Sequence, residues 1–278
     1  MNRVSFLFLL FIFSFSASLH AGEPLKVMTW NIRYDNPDDG PNAWNNRKEA
    51  VITLIKAQNA DIYCFQEVLH SQYLSLQYML NYGSYGVGRD DGKEAGEYAP
   101  VFYNKQRFQL VKQGRFWLSE DTAKAQKGWD AACVRIATWV KLLDIQTRDT
   151  VLVINTHFDH VGTTARLKSA KLLVEFVLLN AVRNPLIIAG DFNCRYDSPP
   201  MMLLQKHTNT QRAKSDPPDP QQPAFTYCGF DGKGTDGDII DHIFFRRFSK
   251  IKSFRILTDH QGTTYPSDHF PVITELSY

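Results

Sequence analysis

Short apolar runs that end on a polar side chain recur along this chain. Leu25–Asn31 is largely apolar up to Asn31, and residues 61–68 are apolar until Gln66-Glu67. Residues 151–157 end on Asn155-Thr156-His157, and residues 185–191 end on Gly190-Asp191. Runs of this length read as buried strands. Residues 98–103, 108–118, 136–143, 239–245 and 271–276 predict further strands. Over residues 44–59, Trp44, Val51, Ile52, Leu54 and Ile55 fall near helical spacing, with Arg47, Lys48 and Glu49 on the polar positions. That pattern predicts an amphipathic helix. Helices are also predicted over 72–80 and 163–181, and a short one opens at Ser198-Pro199-Pro200, with Ser as cap and Pro in the first turn. Residues 34–42, 119–129 and 214–223 read as polar loops. Strands alternate with helices in both halves, around a strand-rich middle, and no Pro/Gly-rich linker divides them. The order predicts one α/β domain of packed sheets covered by helices.

The first stretch differs in character. Arg3 precedes an almost unbroken apolar run over residues 4–15, and small residues follow at Ser16, Ala17, Ser18 and Ala21. Basic, apolar and small segments in that order predict a secretory signal peptide over 1–21, its apolar part too short for a spanning helix of about 20 residues. A catalytic domain over 22–278 is then expected outside the cytoplasm, periplasmic or secreted, with no integral membrane segment. Losing Arg3 leaves 30 Lys and Arg against 29 Asp and Glu, about +1. Without a long basic run, charge neither supports nor excludes a polyanionic partner. Cys64, Cys133, Cys194 and Cys228 form no Cys-x-x-Cys pair, which argues against structural zinc. Export permits disulfides, and Cys194 and Cys228 both flank candidate site residues, so theirs is the one pairing to test.

One polar strand end is ordinary. Asn31, Glu67, His157 and the Asp191-x-Asn193 pair together offer amides, carboxylates and an imidazole at the strand ends where α/β folds gather ligands. Asp241 is sharper, because it stands inside residues 239–245, apolar on both faces, where a carboxylate without a donor is costly. His269 is a candidate donor. An Asp–His pair fixes the imidazole tautomer and raises its basicity, as a general base requires. The alternative is that Asp241 only satisfies backbone amides. His157-x-x-His160 with Asp159 is a weaker, zinc-binding candidate, because no third soft ligand accompanies it. His242 reads as a packing or capping residue. Gly-x-Ser-x-Gly and Walker patterns are missing from the chain, which argues against serine hydrolases and NTPases.

Taken in order, Thr29-Trp30-Asn31, Gln66-Glu67-Val68, Asn155-Thr156-His157, Gly190-Asp191-Phe192-Asn193, Ile240-Asp241-His242 and Ser267-Asp268-His269-Phe270-Pro271-Val272 resemble the endonuclease/exonuclease/phosphatase superfamily, the group containing pancreatic deoxyribonuclease. The resemblance spans nearly all of 22–278. It implies a four-layer α/β sandwich, two central mixed β-sheets flanked by helices, with the site at one edge of the sheets. It also implies hydrolysis of phosphoesters by in-line attack of an activated water, with Mg²⁺, or Mn²⁺ in its place, as cofactor. Carried onto this chain, it makes Glu67 the principal metal ligand, with Asn31 beside it and Asp268 as a further ligand. Asp191 and Asn193 match the pair that orients the water and holds a phosphate oxygen, and Asp241 and His269 match a catalytic dyad. His157 matches a histidine that binds or protonates the phosphate. Arg135 matches a phosphate-binding arginine, and Asn31 is placed to reach a phosphate oxygen as well. Glu97 matches, loosely, a partner of His157. Whether Asp191 or His269 is the base stays open.

The substrate class, whether nucleic acid, phospholipid headgroup or small phosphate ester, is open as well. A nuclease or phosphodiesterase comes first, a phosphatase or sphingomyelinase-like hydrolase second, and an inactive binding protein on the same fold third. His157 stands where abasic-site endonucleases usually carry Tyr, and Asp191-Phe192-Asn193-Cys194-Arg195 lacks the Asn-Tyr-Arg extension of inositol polyphosphate phosphatases. No obvious apolar hairpin of the sphingomyelinase type is present, and residues 191–200 are more similar to the deadenylase-like and secreted bacterial branches. Near-neutral charge predicts few phosphate contacts. Recognition is then expected from loops 35–42, 119–129 and 214–223, acting on a compact substrate or single-strand end, in a monomer.

Overall fold

The computed structural model describes residues 23–278, apart from 182, 235–237, 261 and 263; the expected signal peptide lies outside the described residues. In chain order the elements are β1 (Leu25–Asn31), α1 (Trp44–Gln58), β2 (Ile62–Gln66), α2 (His70–Leu80), β3 (Gly83–Tyr85), β4 (Val101–Tyr103), β5 (Phe108–Trp117), β6 (Ile136–Asp144), β7 (Thr150–His157), α3 (Thr163–Asn180), β8 (Leu186–Asp191), α4 (Pro199–Thr208), β9 (Gln211–Arg212), β10 (Asp241–Arg246), β11 (Lys250–Ile256) and β12 (Val272–Ser277), with a 3₁₀ turn at Pro37–Asn42. They form two six-stranded sheets, ordered β11-β12-β1-β2-β4-β3 and β5-β6-β7-β8-β10-β9. Each contains one parallel pair, β1–β2 crossed by α1 and β7–β8 crossed by α3, with antiparallel neighbours on both sides. Residues of α1 and α2 cover the outer face of the first sheet, and residues of α3 and α4 cover that of the second. This is the expected four-layer sandwich. Among the described residues no helix is long and apolar enough to cross a membrane.

Side chains alternate between the faces of a strand. In β1, Leu25 and Val27 enter the inter-sheet core while Met28 and Trp30 pack outward under the helices. Ile62 and Cys64 of β2, Val151 and Val153 of β7, Ile187 and Ala189 of β8, and Ile243 and Phe245 of β10 fill the same inter-sheet space. Continued by steps of two, these inward rows reach Thr29 and Asn31, Gln66, Asn155 and His157, Asp191, and Asp241. The inter-sheet filling therefore turns polar at one end of the sandwich, and that end is where the chemistry-bearing residues lie.

Several local expectations differ from the structure. β11 was not expected, because Lys250, Lys252 and Arg255 interrupt its apolar positions; it is an edge strand, where charge is tolerated and blocks further pairing. Asp241 is the first residue of β10 rather than an interior one, because Thr226 Oγ1 accepts the Ile240 and Asp241 N–H groups at 3.1 and 3.2 Å. α2 begins two residues early, at His70, with Gln72 Oε1 accepting the Leu69 N–H at 3.0 Å. Ser198 occupies the cap position of α4, but its hydroxyl donates to Arg195 O at 2.6 Å instead of accepting from the helix. All four cysteines are free, so Cys194 and Cys228 are not bridged; Cys228 packs in the inter-sheet core.

Arg47 departs furthest from its expected place. It falls on a polar position of α1 in sequence, yet it is 1% exposed. Its guanidinium donates to the carbonyls of Ile32, Arg33, Tyr34, Asn42 and Pro266, tying the β1–α1 connection to the segment that enters β12. Burial lowers its pKa to about 10, so the side chain stays cationic at neutral pH and the carbonyls balance a buried charge. Asp159 does the converse after β7. Its Oδ1 accepts from Ala132 N (3.0 Å), Val161 N (3.1 Å) and Gly162 N (2.8 Å), and its Oδ2 accepts from Cys133 N at 3.0 Å. Burial alone would raise this carboxyl, but the backbone donors hold it well below the usual carboxylate range.

Two stability predictions follow from these side chains. Arg47→Met leaves buried carbonyls unpaired and is expected to cost about 3 kcal/mol in urea unfolding, whereas exposed Glu49→Ala should stay within about 0.5 kcal/mol. A loss under about 1 kcal/mol for Arg47→Met would mean that the carbonyls find other partners. Because the folded-state pKa of Asp159 is depressed, its contribution is complete above the unfolded carboxyl value of about 3.9 and fades as pH falls below it. The urea midpoints of wild type and Asp159→Asn should therefore be far apart at neutral pH and converge on acidification below about pH 4. A gap that stays constant into acid would assign the stabilisation to something other than the carboxylate charge.

Candidate active site

Strand register builds the floor of the site. β7, β8 and β10 are neighbours in the second sheet, with His157 opposite Asp191 and Asp191 opposite Asp241. Residues paired in this way project to the same side of a sheet, here toward the first sheet. Gly190 lets β8 lie close enough to β7 for this, since a Cβ there would sit 2.0 Å from Thr156 O. From the first sheet comes Asn31, at the end of β1, and Glu67, one residue past β2. Asp268 and His269 come from the segment entering β12. Glu67 and Asn193 have φ of 58° and 49°, the left-handed conformation that turns the chain off the sheet just after β2 and β8.

The two sheets meet through hydrogen bonds at this floor. Asn31 Nδ2 lies 3.0 Å from Glu67 Oε1, 3.1 Å from Asp191 Oδ2 and 3.5 Å from His269 Nε2. His269 Nδ1 is 2.9 Å from Asp241 Oδ2, and Trp30 Nε1 donates to the His269 carbonyl at 2.8 Å. His157 Nε2 lies 3.5 Å from Asp191 Oδ2, and its Nδ1 lies 3.8 Å from Glu97 Oε2. The Asn193 N–H donates to Asp191 Oδ1 at 2.9 Å, while its side-chain amide donates to Phe158 O at 2.9 Å. Asp241 is therefore not a mere acceptor of backbone amides: it holds an imidazole, and its Oδ1 is buried without a partner among the described residues.

The charges are strongly coupled to burial. Burial and the neighbouring Asp241 push Asp191 up to about 7. Burial opposes charge on His269, but Asp241, Asp191 and Asp268 outweigh it and lift the imidazole to about 10. Burial, reinforced by the cations Arg135 and Arg89, holds His157 well below its ordinary value, in the neutral form. Burial also raises Asp268 and Glu97, and in each case the Glu67 carboxylate adds to the rise. At neutral pH the floor thus holds a protonated His269, a neutral His157, and an Asp191 that exchanges its proton near neutrality.

Above the floor opens a cleft of about 860 Å³, lined by Glu67, Arg135, His157, Asp191, Asn193, Asp268 and His269 among others. Asn31 and Asp241 lie beneath it, 0% and 1% exposed. In this arrangement Asn31 braces Glu67 and Asp191 from below. Arg135 sits on the wall with Nη2 3.0 Å from His160 Nδ1 and Nε 3.4 Å from Asp159 Oδ2, while its Nη1 is buried without a partner among the described residues. These contacts remove the zinc alternative: Asp159 is saturated by backbone donors, His160 Nδ1 faces Arg135, and His157 is turned toward Asp191. Cys133 also approaches Asp159 and His160, but meets the same occupied groups.

Loops 35–42, 119–129 and 214–223 do not line the cleft, contrary to expectation. Its walls carry Arg33, Arg89, Tyr227 and Asp238 instead. Arg33 could have been inferred from its place two residues past Asn31, whereas Arg89 and Asp238 lie in irregular segments without a periodic signal. Loop 35–42 acts one step back, through Asp39, which binds Arg33 Nε and Nη2 at 2.9 and 2.8 Å. The oxygens suited to a hard divalent cation are those of Glu67 and Asp268, which lie 4.0 and 3.8 Å from the same nitrogen, Arg33 Nη1. Burial, with Glu67 adding to it, raises the Asp268 carboxyl, and a cation bound there would favour its ionised form. Asp191, Asp241 and His269 also bring ligand-type atoms within 4.8 Å of one another, but one imidazole nitrogen is committed to Asp241.

This geometry has close counterparts. A solved endonuclease/exonuclease/phosphatase from Bacteroides vulgatus is 37% identical, with a TM-score of 0.84 over 91% of this chain and 98% of that one. A Bacteroides thetaiotaomicron mannosyl-6-phosphatase is 30% identical, with a TM-score of 0.84 over 91% of this chain and 100% of its own. Rat nocturnin is 24% identical over 297 residues, covering 92% of this chain and 66% of nocturnin. The chain spans about a third to two thirds of the length of the first curated relatives it matches. From residue 28 to residue 269, a span that runs from β1 to the dyad histidine, the sequence matches the Endonuclease/Exonuclease/phosphatase family, and the chain belongs to that family of phosphoester hydrolases.

Proposed function

We propose that this protein is a divalent-metal-dependent phosphatase acting on compact, hydroxyl-rich phosphate esters. The observation that carries the reading is the cleft itself. Its cations Arg33, Arg89 and Arg135 all lie within one bounded space, together with the acids Glu97 and Asp238. A polymer backbone is best gripped by cations spaced along a track, whereas carboxylates beside a phosphate site repel further phosphates and accept hydrogen bonds from hydroxyls. The mannosyl-6-phosphatase likeness, at 30% identity across the whole of that chain, supports the same substrate class. A nuclease or phosphodiesterase, placed first on sequence, becomes the second reading.

In this reading Glu67 and Asp268 hold Mg²⁺ or Mn²⁺, with Asn31 bracing Glu67. When bound, the ion supplies Lewis acidity toward a phosphoryl oxygen. Asp191, poised near 7 and aligned by the Asn193 N–H, takes the proton of the attacking water. His269, kept protonated and oriented by Asp241, donates to a phosphoryl oxygen, and Arg135 and neutral His157 add donors from the wall. Asn193, its amide fixed on Phe158 O, borders the same oxygens. The reading includes export to the periplasm or the medium, supported by the segment pattern of residues 1–21, and action as a monomer formed by one domain over 22–278.

A screen of the purified protein tests it, using sugar 6-phosphates, nitrophenyl mono- and diesters, single-stranded DNA, RNA, sphingomyelin and phosphoinositides. Phosphate release from sugar phosphates is expected, abolished by EDTA, restored by Mg²⁺ or Mn²⁺, and poorly restored in Glu67→Ala. Full turnover in chelator would remove the metal, and turnover confined to diesters would return a nuclease or headgroup hydrolase to first place. Within the dyad, Asp241→Asn and His269→Ala should each lower kcat by about 100-fold or more, with the double variant little worse than the worse single one. Multiplication of the two defects would show that the residues act independently.

A further inference from the structure

Arg33 is an arginine with almost no freedom. Its backbone is left-handed, with φ of 56°, its N–H donates to Asn31 Oδ1 at 3.0 Å, and its carbonyl accepts from Gln72 Nε2 at 2.9 Å and from Arg47. Nε and Nη2 form a two-point fork on Asp39, which Asn36 Nδ2 steadies at 2.9 Å, and the guanidinium lies 4.5 Å over the Tyr34 ring. The remaining nitrogen, Nη1, faces Glu67 Oε2 and Asp268 Oδ2 at 4.0 and 3.8 Å. Those distances are ion-pair distances but too long for hydrogen bonds. A side chain merely filling the space between two acids would have closed onto them. This one is held back by Asp39.

We propose that Arg33 is the residue that restricts the Glu67–Asp268 pair to a single divalent cation. The inference rests on the reading that this pair binds the metal. Charge counting gives the reason. The pair contributes two negative charges, and one divalent ion neutralises them. The first ion loses no ligand to Arg33, because the guanidinium stops short of hydrogen bonding to either carboxylate. A second ion on the same oxygens would meet a neutralised pair and a clamped positive charge within about 4 Å, a repulsion that the solvent of the cleft weakens but does not cancel at this distance. Arg33 cannot swing aside to relieve it without breaking its fork on Asp39 and its stacking on Tyr34. Arg33 is in this sense a positioning residue for charge, acting on the stoichiometry of the site rather than on the reacting atoms.

Mn²⁺ alone is the probe, read by equilibrium binding stoichiometry and by electron paramagnetic resonance of the loaded protein. Wild type should bind one ion at this pair and give a mononuclear spectrum, and Arg33→Lys, which keeps the charge, should do the same. Arg33→Gln, which keeps a donor for Asp39 and drops the charge, and Arg33→Met should each bind one ion more and show a spin-coupled pair. Their second-site affinity should exceed that of wild type by about 100-fold or more. Unchanged stoichiometry in both neutral variants, or a coupled pair in wild type, would overturn the role of Arg33. No Mn²⁺ binding by wild type would instead overturn the metal reading of Glu67 and Asp268, and this inference with it. Using both Gln and Met keeps the result decisive if one of them fails to fold.

Discussion

Gln66 and Asn155 join the two sheets where their packing changes from apolar to polar. Gln66 Nε2 donates to Asn155 Oδ1 at 2.7 Å and lies 3.1 Å from Thr29 Oγ1, while Asn155 Nδ2 donates to the carbonyls of Phe65 and Pro100 at 2.7 and 2.8 Å. Both amides are fully buried, so each needs these partners. The bond spans the sandwich and fixes the slide of one sheet over the other. Beyond it, Asn31 from one sheet meets Asp191 from the other, and His269 meets Asp241. A one-residue slip of any of these strands would send its inward row to the opposite face. The precision of the site is therefore a property of strand register, set by the apolar rows beneath it and sealed by one amide pair.

What was legible in the sequence follows from that arrangement. Asn31, Glu67, His157, Asp191 and Asp241 stood out because a polar side chain at the end of an apolar strand is conspicuous, and because register carries such residues to a common rim. Arg33 and Arg47 did not stand out, because each is defined by partners brought to it from elsewhere. Arg47 occupies a polar position of α1, and nothing local says that five carbonyls will enclose it. β11 escaped notice for the opposite reason: as an edge strand it is half solvated, and its lysines mask the alternation. The loops expected to touch substrate are marked in the sequence by polarity alone. Polarity does not say which way a loop leans, and Asp39 shows one leaning inward to hold an arginine instead.

The electrostatics of the floor depend on the same burial that makes the register rigid. Asp191, Asp241 and His269 lie where water scarcely reaches, so their mutual fields act with little screening. Asp241, below the floor, raises the carboxyl of Asp191 and the imidazole of His269 alike, by repulsion in one case and attraction in the other. One carboxylate thereby prepares two neighbours for different tasks, an arrangement in which groups of ordinary acidity are driven apart by position. His157, in the same row, is held well below its ordinary value by burial first and by Arg135 and Arg89 second, despite the carboxylates beside it.

Arg33, Glu67 and Asn193 share a further trait: each follows the end of a strand closely, and each holds the left-handed backbone that glycine adopts most readily. Glycine at any of the three would relax the turn and leave the ladder of its strand intact, while deleting the side chain that reaches the cleft. Folding and function thus make opposite demands on these positions, as is common where strain is kept at a working site. Selection for thermal endurance alone, with no demand for turnover, would be drawn to these three residues, and the family's architecture would survive there longer than its activity.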